Sequence, residues 1–163
     1  MSVYIIGCLH LGHESMAKMR GWESSIQHDA VLTVEWNRVV SKRDKVFILG
    51  DVTMENSKSY HILDQLNGMK HVILGNHDRS RDISELLKHV DYVSGPVRYK
   101  KDFWLTHIPV HPIEFDYRIK CNIHAHIHNV NLNDHRYVNV DAHRVGYTPV
   151  LFDNIKNYVT KYV

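Results

Sequence analysis

The sequence contains no apolar run approaching the roughly 18 consecutive residues that a membrane-spanning helix needs, and its opening, Met1-Ser2-Val3-Tyr4, lacks the basic segment of a secretory signal. A cytoplasmic protein with no membrane partner is expected. Cysteine is scarce. Cys8 and Cys121 are the only two, enough for one bridge at most, which excludes a disulfide framework. Four prolines and eight glycines in 163 residues exclude a collagenous or low-complexity chain. Charge of one sign is missing too: Lys+Arg 20 against Asp+Glu 18 leaves +2, so charge by itself does not indicate a nucleic-acid partner. What the sequence has in excess is histidine, 14 of its 163 residues. Imidazole is a common metal ligand and the acid/base of neutral pH. The length is that of one ordinary domain, and a single domain over 1–163 with its own core is expected.

Three early stretches read as buried strands: Val3 to Cys8, Lys45 to Leu49 and His71 to Leu74. After the first, Leu32, Trp36, Val39 and Val40 fall at i, i+4, i+7 and i+8, one apolar face of a helix over about Gln27 to Val40. After the second, Ile62, Leu63 and Leu66 predict another helix, ended by Asn67-Gly68. After the third, Ile83, Leu86, Leu87 and Val90 predict a third. Strand, loop and helix thus repeat three times, which argues for an α/β fold with parallel strands and right-handed crossovers. Beyond Ser94-Gly95-Pro96 the texture changes to short β-like pieces at Val97 to Lys100, Asp102 to Thr106, Cys121 to Ala125 and Arg136 to Val140. The loop from Ile108 to Lys120, with Pro109 and Pro112, is long enough to be read as functional. The tail from Pro149 to Val163 fits either a strand or a short amphipathic helix.

The polar residues sit where these apolar runs stop. Cys8-Leu9-His10, Gly50-Asp51, Gly75-Asn76-His77-Asp78, His107 and His126-Ile127-His128 each lie at or just beyond a strand end. In a parallel α/β sheet such ends share one edge, where ligands bind. A thiol, a carboxylate, an amide oxygen and several imidazoles form a mixed set suited to Zn, Mn or Fe rather than Ca. There are more donors than one ion can use, so two divalent metals are expected.

The series Gly-Asp, Gly-Asn-His-Asp, a lone His and His-x-His resembles the calcineurin-like metallophosphoesterase family, over nearly the whole chain. It is most similar to the small capless members found in bacteria and phages, whose first motif is followed by Gly-His, here Gly12-His13. Two positions depart from the family. Cys8 stands where its Asp-x-His motif has aspartate, and Ala125 stands where its Gly-His-x-His motif has glycine. The resemblance implies an αββα sandwich of two packed mixed sheets flanked by helices. It also implies two divalent ions, Mn, Zn or Fe, with Ni a substitute in vitro. Cys8, His10, Asp51 and His128 would surround one ion; Asp51, Asn76, His107 and His126 the other, with Asp51 bridging. His77 would face the phosphate as a catalytic residue, with Asp78 holding its imidazole. The implied reaction is hydrolysis of a phosphodiester, a cyclic nucleotide or other nucleotide diester, by hydroxide generated at the metals. The alternatives are a nuclease acting on DNA or RNA, and a relative that has lost catalysis through Cys8 and serves as a binding scaffold.

Other residues carry weaker expectations. His13 either contacts the phosphate or caps the helix beginning at Glu14. Arg79, Arg118 and Lys120 are candidates for gripping phosphate oxygens. His111 and His124 are candidates for supporting the ligands or the substrate. His28, His61, His71, His89, His135 and His143 read as surface or half-buried residues, and Cys121 as a small buried hydrophobe.

Overall fold

The computed structural model describes residues 1–162; Val163, the last residue of the expected domain and tail, lies outside the described residues. The three expected strands form as β1 (Val3–Gly7), β2 (Lys45–Leu49) and β3 (Met69–Ile73). They pair in parallel and in register, Ile5 beside Phe47 and Phe47 beside His71. A strand not anticipated, β4 (Tyr92–Ser94), extends the sheet beyond β3. The tail is both of the things it could be: Val150–Leu151 pairs antiparallel with β1, and Phe152–Tyr162 is a helix. The second sheet contains Val97–Tyr99, Phe103–Leu105, Cys121–His124 and Tyr137–Asn139. In chain order these are β5 to β8, and Val150–Leu151 is β9. The sheet orders are β4-β3-β2-β1-β9 and β5-β6-β7-β8, each containing parallel and antiparallel neighbours.

Alternation along the strands builds a layer on each face of the first sheet. Ile6, Val46, Ile48 and Val72 pack with Leu32, Trp36, Leu63 and Leu86 of the helical layer. Ile5, Phe47, Leu49 and Ile73 face Phe103, Leu105, Cys121 and Ile123 of the second sheet, and Phe152, Ile155 and Val159 of the last helix close that layer. The result is an α/β sandwich of two mixed sheets flanked by helices, as expected.

The helices are α1 (Glu14–Met19), α2 (Ser25–Val39), α3 (Ile83–Leu86) and α4 (Phe152–Tyr162). Ser24 caps α2 by accepting from Gln27 N at 3.2 Å. The expected second helix is instead a 3₁₀ helix over Ser57–Gln65. Its buried Tyr60 and Leu63, followed by buried Leu66, recur every third residue, the 3₁₀ repeat. The third helix is shorter than its periodicity predicts, four α residues after a 3₁₀ turn at Ser80–Asp82. On the outer face of the second sheet lies the long loop, which forms a 3₁₀ helix over Pro112–Tyr117 with Phe115 buried against Tyr137. Among the described residues no helix is long and apolar enough to cross a membrane.

Candidate metal centre

Backbone hydrogen bonds bring the strand ends to one edge. Gly7 N donates to Val140 O at 3.0 Å and Ala142 N to Gly7 O at 2.8 Å, so the chain leaving β8 meets the end of β1 and the two sheets touch. Cys8 N donates to Gly50 O and His10 N to Asp51 O, both at 3.0 Å, and Ala125 N donates to His107 O at 2.9 Å. Two glycines permit this closeness. A Cβ on Gly50, whose φ is +71°, would stand 2.5 Å from Gly75 N, and one on Gly75 would stand 2.6 Å from Asp51 N. A third close approach explains why alanine is tolerated at 125. Its methyl faces Gly7, where an added Cβ would come within 2.5 Å.

All seven expected ligands meet there. Donor atoms of Cys8, His10 and His128 lie within 4.8 Å of one another, as do those of Cys8, Asp51 and His107. Around His107 Nε2 stand Asn76 Oδ1 at 2.9 Å, His126 Nδ1 at 3.1 Å and Asp51 Oδ2 at 3.3 Å. The sulfur of Cys8 accepts from His126 N at 3.2 Å. Cys8 is therefore common to both triads, a role the resemblance gives to Asp51. The Asp51 carboxylate joins the second triad, and its Oδ1 accepts from His77 N at 2.9 Å.

Three observations fit this set to cations. First, His107 Nδ1 lies 2.8 Å from Leu49 O and donates to it. Its Nε2 then faces two acceptor oxygens, Asn76 Oδ1 and Asp51 Oδ2, and the ring nitrogen of His126 together, more partners than one proton at Nε2 serves well and an arrangement that a cation among them satisfies at once. Second, His10 is 1% exposed, yet neither of its ring nitrogens has a partner. Buried polar atoms are seldom left so. Burial, reinforced by the Arg20 charge, holds its pKa down to about 3, which keeps the imidazole in its neutral, ligating form. Third, Cys8, His10, Asp51, His126 and His128 all have φ between +47° and +67°. The left-handed conformation costs a non-glycine residue roughly 1–2 kcal/mol, and strain of this kind gathers at functional sites.

The electrostatics agree. Burial pushes the Cys8 thiol well up, and the charges of Asp141 and Asp51 push it further, so a thiolate there requires incoming positive charge. Burial would also raise Asp51, but its hydrogen bond and charge pairing with His107, together with the hydrogen bond from His77 N and the nearby His10, hold it below the usual carboxylate range. His107 is lifted: burial pulls it down, and Asp51, with the Leu49 carbonyl and Asp78, more than compensates. Burial and the nearby His107 lower His126.

Two residues with buried side chains that the motifs did not reveal support the centre. Asp141, fully buried, accepts from His128 Nδ1 at 2.9 Å and so fixes which ring nitrogen of His128 faces the cluster. It follows the last short β piece, and the strand-end rule that found the other ligands applies to it equally. Arg20 donates from Nη2 to Cys8 O at 2.8 Å and lies 3.6 Å from Asp141. A lone arginine at a helix end carries no sequence signal for this role.

Several expectations are corrected. Asp78 does not hold His77. Its carboxylate accepts from Asp51 N at 2.7 Å, Gly75 N at 2.8 Å and Val52 N at 3.1 Å, tying the loops after β2 and β3 together. The acid facing His77 is Glu55, its Oε1 3.6 Å from Nδ1. Arg79 is engaged by Glu55 at 2.9 Å and Asp82 at 3.2 Å. Arg118 and Lys120 precede the start of β7, the end of that strand opposite His126 and His128, and Lys120 pairs with Asp102 at 3.3 Å. His13 caps α1, its Nδ1 accepting from Met16 N at 3.1 Å. It lines a shallow depression with Met54 and Asn56. His111 caps the 3₁₀ helix of the long loop, and His124 is turned to the outer face of β7 against Tyr137. His28 is fully buried between Asp29 at 2.7 Å and Arg20 at 3.0 Å. Cys121 is a buried hydrophobe, as expected.

No family model matches the chain. An uncharacterized protein of Methanocaldococcus jannaschii is 29% identical to it over 98% of this chain and 92% of its own length. The Gene 66 protein of Mycobacterium phage D29 is 36% identical over 61% of this chain and 55% of its own. Among solved structures, an archaeal phosphodiesterase superposes with a TM-score of 0.47 at 17% identity, over 85% of this chain and 82% of its own. A protein of unknown function from Aquifex aeolicus superposes with a TM-score of 0.74 at 20% identity, over 96% of this chain and 98% of its own, and shares its fold.

Proposed function

We propose that this chain is a metal-dependent phosphodiesterase acting on a cyclic nucleotide or other nucleotide diester at a two-metal site, within a single domain. The observation that carries this reading is the donor set: seven groups able to ligate a metal gathered from five strand ends, with a buried His10 that has no partner at either nitrogen. Cys8, His10, Asp51 and His128 would hold one ion; Asp51, Asn76, His107 and His126 the other. Bound divalent ions supply Lewis-acid stabilisation of phosphoryl charge and lower the pKa of water.

The remaining work falls to this chain's own groups. Asp51 Oδ1 accepts from His77 N, which couples the loop bearing His77 to the ligand cluster. The His77 side chain is 30% exposed and its ring lies edge-on to His10 at 6.2 Å, at the border between cluster and solvent. From there it donates a proton to the leaving oxygen, the role of a general acid. Specificity for a diester follows from charge. A monoester dianion calls for extra cations in the pocket; Arg79 is already paired with Glu55 and Asp82, and Arg20 is held by Cys8 O and Asp141.

The test is an assay of the purified chain, stripped and reloaded with Mn, Zn, Fe, Ni or Mg, on bis(p-nitrophenyl) phosphate and p-nitrophenyl phosphate, with bound metal measured in parallel. The expected result is two metals per chain and faster diester hydrolysis. Preference for the monoester reverses the substrate assignment. Bound metal without turnover of either ester identifies a binding scaffold instead.

A further inference from the structure

A groove of about 620 Å³ begins at Asn76 and His107 and runs between the end of β3 and the long loop. Its wall is mostly apolar, formed by Leu74, Pro96, Trp104, Ile108, Pro109 and Val110, and none of its lining residues is a lysine or arginine. Its acidic residue is Glu114, and the imidazoles of His107 and His111 also line it. The volume falls within the range that holds small organic ligands, and an apolar lining beside a few polar groups is the usual character of such sites.

The wall is pinned in place. Val110 N donates to Asn122 Oδ1 at 2.9 Å, and Val110 O accepts from Tyr137 Oη at 2.8 Å. Thr106 Oγ1 donates to Ile108 O at 2.5 Å. A loop held at both backbone groups of Val110 presents a preformed surface, which spares a ligand the entropy of ordering it.

We propose that this groove is the subsite for an uncharged aromatic substituent of the phosphodiester, of the size and flatness of a nucleobase. The proposal rests on the phosphodiesterase reading and deepens it. Phosphorus bound at the cluster lies at the Asn76 and His107 end of the groove, so one of its two ester substituents is directed along it. The absence of lysine and arginine and the presence of Glu114 disfavour a second phosphate there, which argues against a polynucleotide continuing in that direction. Trp104 and the rings of Pro96 and Pro109 offer flat apolar surface, which suits a planar group better than a flexible chain.

The experiment compares kcat/KM for three p-nitrophenyl diesters of rising bulk on the metal-loaded protein: methyl, hexyl and thymidine 5′-. The thymidine ester is expected to exceed the methyl ester at least tenfold, chiefly through KM, and Ile108→Glu is expected to collapse that ratio. Ile108 is 54% exposed, so a carboxylate there reaches solvent, and the melting temperature of the variant is measured beside its kinetics. A thymidine-to-methyl ratio near one overturns the subsite, and a hexyl ester matching the thymidine ester overturns its aromatic character. Should no diester be turned over, the phosphodiesterase reading fails separately, and adenosine binding to the metal-free, 15N-labelled protein then decides the groove. Shifts at the Trp104 indole and the Ile108 and Val110 amides support it, and their absence at millimolar adenosine overturns it.

Discussion

The two ends of the first sheet are built from similar residue types and treat them in opposite ways. At the amino end the parallel strands start among closed sets of partners. Asp44 accepts from Ser2 N at 2.7 Å, Ser41 N at 2.9 Å and Ser41 Oγ at 2.7 Å. Lys70 Nζ donates to Leu66 O at 2.8 Å and Gly68 O at 3.2 Å, and Lys70 N donates to Asp91. At the carboxyl end, Cys8, His10 and Asp51 stand in left-handed backbone, and His10 has no partner. Among the described residues, the buried side-chain nitrogens and oxygens without a partner belong to His10 and Trp104, one in the cluster and one in the wall of the adjoining groove. Polar groups that are satisfied within the chain stabilise it; those left strained and unsatisfied await something outside it.

Removing metal should break this contrast most severely. Chelation is expected to abolish phosphodiester hydrolysis and to lower the melting temperature, because ligand at 100 to 1,000 times its Kd stabilises by roughly 3–4 kcal/mol. For a chain of this size that corresponds to a shift of about 6–16 °C. Restoring Mn or Zn should reverse both losses, and unchanged melting after verified removal of metal refutes the metal centre.

Next in size is the separation of ligand from acid within the carboxyl edge. His77→Ala should lower turnover by about 10²–10⁴-fold while metal content stays near wild type. Asp51→Ala should lose metal and activity together. Metal analysis of both variants decides the matter, and an emptied site in His77→Ala would make His77 a ligand.

A smaller, spectroscopic effect sharpens the part played by Cys8. A metal–sulfur bond near 2.3 Å, longer than a metal–oxygen bond near 2.0–2.2 Å, partly makes up for the shorter cysteine side chain. The cobalt-substituted protein should show a sulfur-to-metal charge-transfer band that Cys8→Ser lacks. If the band is absent and Cys8→Ala keeps both metals and full rate, Cys8 is a bystander.

At the amino edge the expected change is in stability alone. Asp44→Ala should cost about 1.5–3 kcal/mol, the net value of hydrogen bonds to a charged acceptor, with activity per folded molecule retained. The backbone N–H groups of Ser2 and Ser41, with the Ser41 hydroxyl, hold the Asp44 carboxyl below its ordinary range. Its contribution is therefore complete above the unfolded pKa of about 3.9 and is lost as pH falls through the lower folded value. Acid titration of melting temperature in wild type and Asp44→Ala should converge at the acid end.

The sequence by itself determined where the three parallel strands run, because strands buried on both faces are written as continuous apolar runs. It also determined the ligand candidates, because each such run ends in polar residues that have no place in a core. Tertiary structure decided what pattern alone does not encode. Strand β4 is three residues long, too short to show a period, and exists through its pairing with β3. The helix over Ser57–Gln65 became 3₁₀ because burial recurs at every third residue. Asp78 and Glu55 show the same limit at the centre. The residue adjacent to His77 in sequence turns to three backbone N–H groups, and the acid that faces the imidazole comes from a loop 22 residues earlier. Side-chain partners across loops depend on how those loops cross. That crossing is set by backbone hydrogen bonds such as Cys8 to Gly50 and by the close approach of Gly50 to Gly75, neither of which is local in sequence.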